Sequence, residues 1–162
     1  MKNMVVDCGD CNHFVETVQR HLGDLISRYG FRSVQCESDR DGRECVWMLE
    51  SERCRLLFTL MDGAEDCSLG RVDTPFPGKI SFFLNGEIGW YNTQFLIEFK
   101  TGKELLNRKL VSQFKEGKRA YFEWLSPLLE KWMAELIAMF DGQEELIWHD
   151  DLARMLEKHK PW

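Results

Sequence analysis

Between Asn12 and Tyr29 the apolar residues fall at Phe14, Val18, Leu22, Leu25 and Tyr29, with Val15 and Ile26 widening the stripe. Steps of three and four put them on one face of a helix. Asn12 suits the N-cap, Glu16 the first turn, and Gly30 the left-handed position just past the C-terminus. The spacing predicts a helix over 12–29.

After Gly30 the period changes. "RSVQCES", "RECVWMLE", "CRLLFTLMD" and the weaker "CSLGRVD" read as strands, with "DRDG", "SER" and "GAED" between them as turns. Connections this short join antiparallel neighbours, because a parallel pair needs a crossover of about a dozen residues or more. The prolines of "TPFPGK" interrupt the run. "ISFFL-NG-EIGWY" predicts a further hairpin, since Asn-Gly favours a tight type I′ turn. Asn92 or Thr93 then caps a short helix, "TQFLIEFK", that closes at Gly102.

The remainder has helical period. "KELLNRKLVSQFKEGKRAYFEWL" predicts one helix up to Ser126-Pro127, where serine as N-cap and proline at the first helical position start another. In "PLLEKWMAELIAMF" Leu128, Leu129, Trp132, Leu136 and Phe140 face one way. Asp141-Gly142 ends that helix, and "EELIWHDDLARMLEKH" predicts a last one. The expectation is an α+β fold with an N-terminal helix, an antiparallel β-meander and a helical C-terminal half. Residues 1–162 form a single domain, with helix and sheet over 1–102 and the C-terminal helices of 103–162 packed on them.

Composition bounds the function. A chain of 162 residues supports one well-buried core. Its formal net charge of −6 opposes phosphate backbones, so nucleic acid is an unfavourable partner and a basic protein a favourable one. No N-terminal segment joins a basic start to a continuous apolar stretch. No window reaches the roughly 20 apolar residues of a membrane span. The expectation is a cytoplasmic protein whose six cysteines (8, 11, 36, 45, 54 and 67) are reduced.

Cys8-x-x-Cys11, just ahead of the first helix, is open to three readings. Thioredoxin and glutaredoxin sites are built as strand, C-x-x-C and helix, and a helix N-terminus would lower the pKa of Cys8. Against a redox enzyme stand the meander of 33–73, where a β-α-β unit belongs, and the negative charges of Asp7 and Asp10. A zinc site would take Cys8, Cys11 and His13 (or His21), with Cys36 or Cys67 converging on it. A second close cysteine pair is missing, because the remaining cysteines stand nine or more residues apart. The plain reading has Cys8 and Cys11 as small buried residues at a helix start, with the other four as small hydrophobes in strands and no cofactor.

Other chemistry is sparse. His13 and His21 share a face of the first helix, and His149 precedes Asp150-Asp151 without any serine motif. Asp39, Asp41 and Gly42 match only a fragment of a calcium loop and read better as a hairpin turn. Lys100, Lys103, Arg108, Lys109, Lys115, Lys118 and Arg119 make 100–119 basic, and 141–151 is acidic. The two segments pair with each other, form solvated faces, or meet an anionic partner. Trp90 and Tyr91 head the densest aromatic cluster, as part of the core or as the wall of a pocket or interface. Any surplus apolar face on the 127–140 helix would serve a homodimer.

The run "LISRYGFRSVQCES…CVWMLESERCRLLFTLMDG…WYNTQFLIEF" resembles a group of small bacterial proteins of unassigned function. They share a "RYGF" helix end, a hairpin from "LES" to "LRL", and a "WY" or "WF" opening a short helix. The match covers roughly residues 22–100. The resemblance implies a compact α+β shape similar to that of immunity proteins, which neutralise secreted toxins, and it carries no catalytic residue. The sequence thus supports a non-enzymatic, immunity-like protein that binds a partner through its surface. The alternative is a thiol-redox or zinc protein built on Cys8 and Cys11.

Overall fold

The structure, a computed structural model, describes residues 6–77, 89–141 and 146–158. A 3-10 turn over Gly9–Cys11 leads into α1 (Asn12–Arg28), which buries Phe14, Val15, Val18, Leu22, Leu25 and Ile26. Its end is a Schellman motif. Gly30, at φ +74°, lets the Phe31 N–H reach the Ile26 carbonyl and its own N–H reach Ser27.

Four strands follow, β1 (Arg32–Asp39), β2 (Glu44–Glu50), β3 (Arg55–Met61) and β4 (Ala64–Gly70). With the two-residue β5 (Tyr91–Asn92) they form an antiparallel sheet in the order β1-β2-β3-β4-β5. The turn between β3 and β4 is tighter than the sequence suggested. Asp62 (φ 46°) and Gly63 (φ 86°) both take the left-handed conformation of a two-residue hairpin loop, so β4 begins at Ala64 rather than Cys67. The predicted hairpin over 80–91 lies mostly outside the described residues.

Between its terminal glutamates β2 is apolar and is buried on both faces. One face carries Cys45, Trp47 and Leu49 into the main core with Phe58, Leu69 and the helices. The other packs Val46, Met48 and Leu57 around Trp90. β1 is the contrast, with seven of its eight residues exposed.

Asn92 caps α2 (Thr93–Thr101) by accepting the Gln94 N–H at 2.9 Å, and Gly102 ends it at φ +70°. The long helix predicted from Lys103 divides instead. Residues 103–107 lie outside any helix or strand, α3 spans Arg108–Lys115, and Gly117 at φ +71° turns the chain into α4 (Tyr121–Ala138). α4 runs through Pro127, where a new helix was expected. Phe122, Leu125, Leu129, Met133 and Leu136 keep the three-four spacing across it, so tertiary burial outweighs the one backbone bond that proline removes. Ser126, the expected cap, gives its hydroxyl to the His21 carbonyl of α1 at 3.0 Å. The apolar stripe of α4 is spent on the chain's own core, with Leu128 and Trp132 half-buried at its margin. α5 (His149–Glu157) closes the fold.

Phe122 is the hub, its ring centroid 6.0 Å from Phe14, 5.8 Å from Phe58 and 5.3 Å from Tyr121. No helix among the described residues is long and apolar enough to cross a membrane.

Candidate functional site

Two disulfides tie the N-terminal turn to the first hairpin. Cys8 is bonded to Cys36 of β1 and Cys11 to Cys45 of β2, with Cα–Cα distances of 5.4 and 5.8 Å. This corrects the expectation of six reduced cysteines; Cys54 and Cys67 remain free, both buried. Burial pushes the Cys54 thiol up to about 11 against the opposing Ser51 hydrogen bond, and raises Cys67 further. Neither is a nucleophile at neutral pH.

Local geometry explains the pairing. Gly9, at φ +57°, bends the chain so that the Cys11 N–H donates to the Cys8 carbonyl at 3.0 Å. Asn12, expected to cap α1, instead accepts the Cys8 N–H at 2.7 Å and so braces the turn. Across the strands Cys36 stands opposite Trp47 and Ser38 opposite Cys45, which makes Cys36 and Cys45 diagonal neighbours on one face. The hairpin end lies hard against the turn: a Cβ on Gly42 would sit 2.7 Å from the Asp10 carbonyl oxygen.

Of the predicted zinc set, Cys8 and Cys11 are buried and disulfide-bonded, and His13 is exposed on α1. A disulfide sulfur is not the thiolate that zinc binds. Among the described residues no group of three or more His, Cys, Asp or Glu is arranged to hold a metal ion. Asp7, Asp10, Glu37, Asp39 and Asp41 are exposed around this corner, and β1 forms the sheet edge beside them.

Trp90 and Tyr91 part company at the other end of the sheet. Trp90 is fully buried in the smaller cluster and gives its indole N–H to the Pro75 carbonyl at 3.0 Å. Tyr91 enters the main core, its ring 4.7 Å from that of Trp148. Its hydroxyl lies 2.7 Å from His149 Nδ1, so His149 meets a phenol rather than the neighbouring aspartates. Burial raises the Tyr91 pKa, partly opposed by Arg71, and keeps the hydroxyl protonated.

Beside Tyr91 lies a polar cluster that sequence reasoning missed. Asn92 Nδ2 donates to Asp66 at 3.1 Å, and Tyr121 donates its hydroxyl to Gln94 at 2.8 Å. Glu98, buried in α2, accepts the Leu105 and Leu106 N–H groups at 2.9 and 3.3 Å. Desolvation lifts Asp66 to about 6; the Asn92 hydrogen bond opposes the shift, and Glu65 adds to it. In sequence Asp66 fell in a predicted turn, so nothing marked it as burial-prone.

Among the described residues, both the basic and the acidic segment contribute to ion pairs. Lys118 pairs with Glu116 at 2.8 Å, Asp141 with Arg53, and Asp151 with Arg154. Lys118 and Arg119 rim a surface groove of about 480 Å³ that Glu123, Trp124 and Pro127 also line. No family model matches this chain, and neither does any curated protein or solved structure.

Proposed function

We propose that this protein works as a non-enzymatic, immunity-like module that occupies a basic protein partner through its surface. One observation carries the reading. β1 is an exposed edge strand with Glu37 and Asp39 on it, and Asp7, Asp10 and Asp41 stand exposed around its end. An edge strand offers a row of backbone donors and acceptors to an added strand, while the surrounding charge steers a cationic partner toward it. Val34, at the irregularity in the β1–β2 register, is 47 % exposed and supplies an apolar contact beside those charges.

The reading takes the chain to act in the cytoplasm. Two disulfides favour an oxidising compartment instead, and a thiol count on protein quenched directly from cells distinguishes the two. Crosslinking in the native host, with mass-spectrometric mapping of the linked residues, tests the interface. The expected outcome is a basic protein linked to residues 32–41, whose binding weakens as salt rises and in Glu37→Lys/Asp39→Lys. A partner linked elsewhere and indifferent to both changes overturns the reading.

A further inference from the structure

Four cysteines from two separate segments converge on one corner. Cys8 and Cys11 sit one turn apart, joined by the 3.0 Å backbone hydrogen bond, and Cys36 and Cys45 face them from adjacent strands. The Cα–Cα distances across the bridges are 5.4 and 5.8 Å. Diagonal neighbours on one sheet face are about 7–8 Å apart. We propose that, once both disulfides are reduced, Cys8, Cys11, Cys36 and Cys45 form a tetrathiolate site for a zinc ion.

The step is chemically balanced. A dithiol reductant gives each disulfide two electrons and two protons and is itself oxidised to a cyclic disulfide, leaving four thiols. Zn²⁺ then forms four S–Zn bonds and displaces the thiol protons to solvent. Tetrahedral zinc with S–Zn near 2.3 Å holds its sulfurs roughly 3.8 Å apart. Bonded sulfurs are about 2.05 Å apart, so each pair opens by less than about 2 Å, within reach of side-chain rotation.

Three features suit metal over an open dithiol cluster. The Gly9 turn fixes the first pair of ligands at C-x-x-C spacing. The β1–β2 ladder fixes the second pair without any close spacing in sequence. Cys8, Cys11 and Cys45 are buried and Cys36 is half-buried, so the sulfurs are largely shielded from water. All-sulfur coordination selects zinc over magnesium and calcium, which take oxygen ligands. The site differs from the Cys8, Cys11, His13 set by its two hairpin ligands, and it is independent of the partner-binding reading above.

The experiment uses the full chain, reduced with dithiothreitol, desalted without oxygen and titrated with Co²⁺, then Zn²⁺. The expected result is one Co²⁺ per chain with visible bands of a tetrahedral ion and strong near-ultraviolet sulfur-to-cobalt absorption, both abolished by Zn²⁺. Pulsed alkylation of the wild-type zinc form, mapped by mass spectrometry, should find Cys8, Cys11, Cys36 and Cys45 protected together. This readout does not depend on any variant folding. Cys36→Ser should lose the cobalt signal and His13→Ala should keep it. Absence of a tetrahedral cobalt spectrum, or protection confined to Cys8 and Cys11 with binding lost in His13→Ala, overturns the proposal.

Discussion

The two ends of the sheet are held by different means. At one end β1 buries almost nothing and is retained by its ladder to β2 and by covalent links from Cys36 and, through β2, Cys45. At the other end β5 and α2 are retained by burial, with Tyr91, Leu96 and Ile97 in the core and Asn92, Gln94 and the Oε1 of Glu98 engaged in internal hydrogen bonds. A strand without an apolar face needs a staple, whereas a junction rich in buried polar groups needs partners for each of them. The stapled end therefore depends on redox state and the polar end on pH.

The largest effect should come from opening the staples. Removing one bridge by Cys11→Ser/Cys45→Ser is expected to cost about 2–4 kcal/mol. Hydrogen exchange should locate the loss in residues 6–39, while β3, β4 and α2 keep their protection. The same pattern is expected of wild-type protein reduced in excess chelator. Uniform loss of protection would mean that the two ends fold as one unit and the contrast is false.

Asp66 sharpens the comparison from the polar side. Its folded pKa of about 6 lies above the ordinary 3.8, so the folded state holds its proton more tightly than the unfolded chain. Its contribution is fully present below pH 3.8 and is lost as pH rises through about 6, at a cost on the order of 2–3 kcal/mol by neutral pH. Asp66→Asn keeps an acceptor for Asn92 without the charge. Thermal melts at pH 7 should show it more stable than wild type, with the difference fading toward pH 4. A less stable variant at pH 7 would show that the carboxylate is needed charged.

The smallest effect belongs to Tyr121→Phe. It deletes the donor to Gln94 and leaves a buried amide oxygen unsatisfied, for an expected loss of about 1–2 kcal/mol by chemical denaturation. Exchange should quicken around α2 and leave the cysteine corner unchanged.

Legibility followed the range of the interactions. α1, with Gly30 in its end motif, and α2, with Asn92 and Gly102, are set by residues close in sequence, and their boundaries were readable. The meander was readable for the same reason, through the short polar turns between its strands, although the β3–β4 turn falls at Asp62-Gly63 rather than over 63–66. Pro127 misled because a local start signal is overridden by a buried stripe fixed by distant elements. The cysteine corner was half legible. Cys8-x-x-Cys11 was visible, but its counterparts stand nine residues apart and meet only through hairpin register. A turn over 39–42 pairs 38 with 43 and sets Cys36 directly opposite Cys45; the observed register shifts Cys36 to Trp47, a displacement that no local signal announces. Asp66 was illegible because its burial comes from α2 and α4, far along the chain.

The two bridges are interlaced: in chain order the cysteines run 8, 11, 36, 45, and each bond spans one end of the other. Four thiols allow three pairings. Joining Cys8 to Cys11 and Cys36 to Cys45 would staple the turn to itself and the hairpin to itself, leaving helix and sheet unlinked. The crossed arrangement is favoured when the turn already rests on the assembled hairpin. The bonds therefore act as a record of assembly, and the ratio of crossed to self-contained isomers after oxidation reports whether α1 reached the sheet before its thiols were spent.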